Sequence, residues 1–355
     1  MIEVLTRRNL LAGLACWLAL VAMSPSQAEA PATETTAPTQ AADPLPSWNE
    51  GPTKKAIVDF VEGVTKEGGP NFVPAADRIA TFDNDGTLWV EQPIYTQFAY
   101  AIAEVKAQAD KHPEWKTQEP FKSVLAGDMK AVAAMGEKGM VEIVAATHSG
   151  ITTADFDKSV RDWLATAQHP RFKVLYTDLV YQPMLELLAY LRANKFKTFI
   201  VSGGGVEFMR AFTNKSYGIP PWQVIGSAGV TNYQMWDASP VLIKMPKVLF
   251  IDDGPGKAEG INHYIGKRPI FAFGNSVGDK EMLEWTSAGE GLRFMGLVYH
   301  TDGTREYAYG PAGGLPDSKV GTFTQALMDE ATARGWTIAN MKNDWKTIFP
   351  PAKAE

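Results

Sequence analysis

The chain has 355 residues, of which 45% are hydrophobic and 21% charged, with a formal net charge of −6 and one cysteine. That length allows one large domain with an insertion, and the mildly acidic balance argues against a nucleic-acid backbone as the main partner. Beyond the N-terminus no apolar stretch is long enough to span a bilayer.

At the N-terminus Arg7 and Arg8 precede an apolar run from Leu10 to Met23, followed by small residues at Ser26, Ala28 and Ala30. This order predicts a signal peptide over 1–28, and so a periplasmic or secreted protein that leaves the membrane once the signal is cut. Thr6-Arg7-Arg8-Asn9-Leu10-Leu11 resembles a twin-arginine signal; a general secretory signal is the other reading. Cleavage after Ala28 removes Cys16, and with it any disulfide or thiolate chemistry. It also removes Glu3, Arg7 and Arg8, which takes the charge from −6 to −7. Residues 29–46, rich in Ala, Thr, Pro and Gln, read as a disordered linker.

Ile57, Phe60, Val61 and Val64 recur on one helical face, and a short apolar run to Phe82 then predicts a buried parallel strand. From about Pro93 to Leu179 the pattern is helical. Phe98, Ile102 and Val105 share one face; Phe156, Val160 and Leu164 share another after a cap at Thr152 or Thr153. A helix near Pro183, with Met184, Leu187, Leu188 and Leu191 on one face, leads into a strand at Thr198–Val201. Further strands are expected at Val248–Ile251, Ile270–Phe273 and Phe294–Tyr299. Strands alternating with helices predict an α/β fold, a Rossmann-like parallel sheet covered by helices, with its chemistry at the strand C-termini.

Four polar segments fall at such ends. Asp83 and Asp85 lie one residue apart, and two such carboxylates call for a cation or a shared proton; Mg²⁺, a hard ion that prefers oxygen ligands, meets that need. Gly86 permits a tight turn, and Thr87 offers a hydroxyl to an anion. Ser202-Gly203-Gly204-Gly205, between a strand and a helix, provides a hydroxyl and backbone N–H groups for an anion. Asp252-Asp253-Gly254-Pro255-Gly256-Lys257 supplies a cation, Lys257, but lacks the first Gly and the Ser or Thr of a phosphate-binding P-loop. Gly274-Asn275-Ser276-Val277-Gly278-Asp279 brings Asn275 and Asp279 as further oxygen donors.

In this order the segments resemble the four motifs of the haloacid dehalogenase superfamily, and Val201-Ser202-Gly203-Gly204 is most similar to its phosphoserine-phosphatase-like branch. The resemblance runs from about Ile79 to Tyr299. It implies a core of 47–92 and 180–355, with a mainly helical cap at 93–179 inserted between the first and second motifs. It further implies that Asp83 attacks phosphorus to form an aspartyl-phosphate, and that Asp85 protonates the leaving alcohol and then activates water. Ser202 and Lys257 would hold the phosphoryl group, assisted by Thr87, Gly203 and Gly204. Mg²⁺ would sit among Asp83, the Asp85 carbonyl, Asn275 and Asp279. One position departs from the pattern: the fourth motif usually begins Gly-Asp, and here Asn275 follows Gly274.

Trp89, Glu91 and Tyr95 follow the first motif and are candidates to contact the substrate, an aromatic pair with a carboxylate suiting a cationic leaving group. Packing between cap and core is the plainer reading. Arg305, in the polar loop after the last expected strand, is a candidate anion clamp. The chain thus reads as an exported Mg²⁺-dependent phosphatase of small phosphomonoesters. A phosphotransferase or mutase on the same intermediate, or a non-catalytic binder of phosphorylated ligands, are the alternatives, and the sequence is silent on oligomeric state.

Overall fold

The computed structural model describes residues 43–351. The expected signal peptide and most of the linker lie outside them. Among the described residues no helix is long and apolar enough to cross a membrane.

Seven strands form one sheet: β1 (Ile79–Phe82), β2 (Lys197–Gly205), β3 (Val224–Trp236), β4 (Ser239–Phe250), β5 (Phe271–Gly274), β6 (Phe294–Tyr299) and β7 (Thr337–Asn340). Their order is β4-β3-β2-β1-β5-β6-β7. All pairings are parallel except β3 with β4. The sheet therefore grows in two directions from β1, which pairs through Ile79 with Lys197 and through Ala80 with Phe271. Such a reversal of strand order opens a crevice beyond the carboxyl ends of the strands, and the first motif emerges there.

The helix that opens the described fold is α1 (Pro52–Thr65), and it buries Ile57, Phe60, Val61 and Val64 as expected. Its Phe60 packs against Phe196, Phe271 and Phe294 with ring centroids 5.8–6.3 Å apart. Six α-helices lie between β1 and β2, the first five being α2 (Thr96–Gln108), α3 (Phe121–Ala126), α4 (Met129–Ala134), α5 (Gly136–His148) and α6 (Thr153–Leu164). The first four share a small apolar cluster of their own, including Ile102, Trp115, Phe121 and Ile143. By contrast, Phe156, Val160 and Leu164 of α6 join the main core. Thr152 is the cap, its hydroxyl accepting the Asp155 N–H at 2.9 Å. Next come α7 (Gln182–Ala193), α8 (Val206–Arg210), α9 (Thr213–Tyr217), α10 (Pro255–Gly260), α11 (Lys280–Ser287), α12 (Gln325–Ala333) and α13 (Met341–Asp344).

Two expectations about strands need correcting. Val248–Ile251 is not a buried parallel strand: Val248 to Phe250 end β4, which runs antiparallel to β3 in a two-stranded ribbon, and Val248, Leu249 and Ile251 are exposed. A short apolar run is the same string whether it fills a sheet centre or crosses a ribbon; neighbours decide which. The Gly-rich segment is also not a simple turn. β2 continues through Gly205, with a bulge between Ser202 and Gly205 where it pairs with β3.

Candidate active site

Asp83 follows the buried β1, and its backbone N–H donates to the Phe273 carbonyl at 2.9 Å, which ties the loop to β5. Gly86 takes a positive φ of 73°, and a side chain there would collide with Asn275 and Glu91, so only glycine fits. Lys257 on α10 is fully buried; its Nζ donates to Asp83 Oδ1 at 2.8 Å and to Asp279 Oδ1. Burial raises the Asp83 carboxyl, the Lys257 charge opposes that, and Asp279 and Asp85 add to it. Desolvation works against the Lys257 ammonium, but its two carboxylates hold it charged with a pKa above the usual lysine value. Asp85 is raised by burial and accepts the Trp89 indole N–H at 2.8 Å.

A cavity of about 540 Å³ opens above these groups. Of the residues singled out from sequence, Asp83, Asp85, Ser202, Gly203, Gly204, Lys257, Glu91 and Tyr95 line it, and Trp89 does not. Thr87, Asn275, Asp279 and Arg305 do not. Thr87, expected on the phosphoryl group, is fully buried and donates its hydroxyl to Asn275 Oδ1 at 3.1 Å. Asn275 in turn donates to Glu91 Oε1 at 2.7 Å, and Tyr309 donates to the same oxygen at 2.7 Å. Glu91 is thus enclosed by protein groups instead of presenting both oxygens to the cavity. Both Asp279 oxygens take donors, Oδ1 from Lys257 and Oδ2 from the backbone N–H groups of Asn275 and Ser276 at 2.8 and 3.0 Å.

Arg305, expected to clamp an anion, instead binds Asp302 at 2.5 Å and the carbonyls of Met341, Lys342, Trp345 and Lys346 at 3.0–3.3 Å. It fastens the C-terminal segment. A loop arginine meets backbone carbonyls as readily as a ligand, so the sequence alone could not separate the two. The glycine segment is also partly committed, since the Gly204 N–H donates to Ser202 Oγ at 3.3 Å and that of Gly205 to Gln97 Oε1 at 2.7 Å.

Several lining residues carried no signal in the sequence reading. Asp253 reaches the cavity beside Gly203 and against Gly278. His148 and Lys244 come from α5 and β4. His300 does not line the cavity; it begins the loop that carries Arg305, a loop whose position after the last expected strand allowed it to approach the strand ends. Its buried Nε2 meets the Gly86 carbonyl at 2.8 Å, holding the first loop from behind.

The oxygen-rich donor set suits a hard divalent cation. Asp83, Asp279 and Glu91 are buried and Asp85 half-buried, with Lys257 the cation hydrogen-bonded to two of them. Among the described residues no three His, Cys, Asp or Glu side chains are gathered as a ready-made ligand group. Mg²⁺ does not require one, because it keeps several waters and needs one or two carboxylates.

Asp252, just before the cavity, is fully buried; its Oδ2 accepts the Ser202 N–H at 3.1 Å and its Oδ1 has no partner. Burial lifts its pKa to about 7 against the pull of Lys257 and Ser202. In the unfolded chain the group titrates near about 4. Folded-state stability is therefore complete below that value, falls as pH rises towards 7 and then levels off. Asp252→Asn should flatten this fall and raise Tm at pH 8 by a few degrees, with little change at pH 4; melting curves at the two pH values check it.

Residues 80–284 match the family described as haloacid dehalogenase-like hydrolase. No curated protein matches the chain. Among solved structures it is similar to a conserved, functionally unknown protein from Anaerococcus prevotii, with 15% identity, 70% of this chain and 86% of that one covered, and a TM-score of 0.49. A protein of unknown function from Bordetella pertussis shares 14% identity over 74% of this chain and 98% of its own, with a TM-score of 0.45. A phosphoserine phosphohydrolase-like protein from Francisella tularensis shares 16% identity over 62% and 87%, with a TM-score of 0.33.

Proposed function

The chain belongs to the haloacid dehalogenase-like hydrolase family, and from that premise we propose that it is an exported, Mg²⁺-dependent phosphatase acting on phosphomonoesters. The observation that carries this reading is the buried Asp83–Lys257–Asp279 chain beside Asp85, opening onto one cavity. Asp83 attacks phosphorus in line with the leaving oxygen, the P–O bond to the alcohol breaks, and an aspartyl-phosphate forms. Asp85, whose raised pKa favours the protonated acid, gives its proton to the departing alkoxide and recovers one from the water that cleaves the intermediate. Lys257 and the Ser202 hydroxyl offset charge on the transferring group.

Asp83 and the backbone carbonyl of Asp85 would hold the Mg²⁺, which when bound would neutralise charge on the phosphoryl oxygens; Asn275, engaged by Thr87 and Glu91, stands behind them. Asp279 acts one step back, orienting Lys257 and the loop from Asn275. The helical segment 93–179 serves as the cap over this centre, and the N-terminal signal directs the chain to the periplasm or beyond. Similarity to the phosphoserine-phosphatase-like branch stays part of this proposal, as the residues Val201-Ser202-Gly203-Gly204 suggest.

A panel of phosphate esters assayed with Mg²⁺ and with excess chelator tests the reading. Phosphate release should fall at least about a hundredfold on chelation, the loss typical when a metal's electrostatic contribution is removed. Release that continues undiminished in chelator rules out the metal's part.

A further inference from the structure

The cavity exceeds what a phosphoryl group and a small alcohol would fill. Its floor is Asp83, Asp85, Ser202 and Lys257, yet its 540 Å³ falls in the range of sites that enclose drug-sized molecules. The remaining wall comes from two segments distant in sequence. Phe98, Val144 and Phe156 belong to the inserted helices, and Pro246, Val248 and Ile251 to the β4 side of the ribbon. The two segments touch directly, as the Lys244 N–H donates to the Ile151 carbonyl at 2.9 Å and the Gly150 N–H to the Lys244 carbonyl at 2.8 Å.

The buried cation in this wall is paired, while Lys247 is exposed at its rim. Lys244 Nζ lies 2.9 Å from Glu207 Oε2 and 4.4 Å from the Phe156 ring centroid, so its charge is already matched. His148 is buried, and that burial together with the Lys244 charge pushes its pKa down to about 3, so the ring is neutral. The Thr147 hydroxyl gives its one proton to the Ile143 carbonyl at 2.8 Å, so the contact of 2.8 Å to His148 Nδ1 is an N–H donating to Oγ. Nε2 is then an acceptor without a partner. At the rim Val141, Val248 and Ile251 stand about half exposed, an apolar surface beside the catalytic centre, with Lys247 exposed next to Val248.

We propose, resting on the reading of the site as a phosphomonoesterase, that this wall is a leaving-group subsite for a bulky apolar alcohol. The preferred substrates are phosphate esters of alkyl or aromatic alcohols, not of small ionised ones such as serine or choline. The occupant follows from continuity: whatever fills the cavity is bonded to the phosphorus held at Asp83. This replaces the cationic leaving group suggested by Trp89, Glu91 and Tyr95, because Trp89 and Glu91 are committed to Asp85 and to Asn275 and Tyr309. That leaves Tyr95, its hydroxyl accepting the Gly321 N–H at 3.3 Å, as the one ring of that aromatic pair on the cavity.

The n-alkyl phosphates from methyl to hexyl, whose leaving alcohols are nearly equal in acidity, test the proposal in the full chain with Mg²⁺. Each methylene entering the cavity should raise kcat/KM about threefold, so that hexyl, with five more, exceeds methyl by about two hundredfold. Val248→Asp, at the exposed rim, should lower the hexyl-to-methyl ratio at least about fivefold. A flat response to chain length, a preference for phosphoserine over hexyl phosphate, or an unchanged ratio in Val248→Asp overturns the subsite and leaves the phosphatase reading standing. Release from none of the esters overturns both.

Discussion

Asp83→Asn is expected to lower phosphate release by about 10⁴-fold or more while leaving the fold intact. The amide cannot displace an alkoxide from phosphorus, and loss of a nucleophile removes the covalent route outright. Geometry is preserved, because the side-chain oxygen of Asn at this position still accepts from Lys257, now 2.8 Å from Asp83 Oδ1. Replacing a buried carboxyl of raised pKa also removes a charge that burial penalises, so Tm should be unchanged or higher, most clearly at alkaline pH. Steady-state release on one ester, with melting curves of both proteins at pH 8, measures both effects. Activity retained within tenfold of wild type would move the nucleophile elsewhere.

Lys257→Met should have the next largest effect, on stability as well as rate. Lys257 bridges Asp83 and Asp279 with all three groups buried, so its loss leaves two carboxylates without their cation. Breaking such a pair from one side costs about 3–5 kcal/mol, far more than the pair contributes as a whole. In a chain of this size that corresponds to a fall in Tm on the order of 10 °C. The sign with pH is set by the carboxylates: without the ammonium they fold most easily as neutral acids, so the deficit is smallest near pH 5 and grows towards pH 8. Urea melts at both pH values would show it. A deficit independent of pH would mean that lost packing dominates.

The strands carrying the motifs were legible because burial on both faces writes them as short, uniformly apolar runs: Ile79–Phe82 and Phe271–Gly274 are buried throughout. Helices α1, α2, α6 and α7 were legible by their apolar stripes. The β3–β4 ribbon was not. Past Ile225 its residues are largely exposed, so no period of two develops, and Gly226, Gly229, Pro240 and Pro246 all speak against strand. With the ribbon went Lys244 and the far wall of the cavity. β7 has four residues, too few for a pattern.

At the site, Asp83, Asp85, Ser202 and Lys257 converge on one cavity because each follows or flanks a strand end, which spacing does reveal. Which way a side chain turns from that end is not in the spacing. Thr87 turns to Asn275, 188 positions away, and Arg305 to the C-terminal carbonyls, 40 positions away at Trp345, and neither partner is marked by any period. His148 and Asp253 reach the cavity only through tertiary packing.

The central place of β1 has a consequence for synthesis. It leaves the ribosome first among the strands, yet its two neighbours begin at Lys197 and Phe271. Until those arrive, an apolar strand followed by a cluster of acids has nothing to pair with, and such segments are what chaperones and aggregation compete for. Asp83 is thus carried on the strand that waits longest for its second neighbour, so a chain stopped before β5 would hold Asp83 but not Asp279, the second anchor of Lys257.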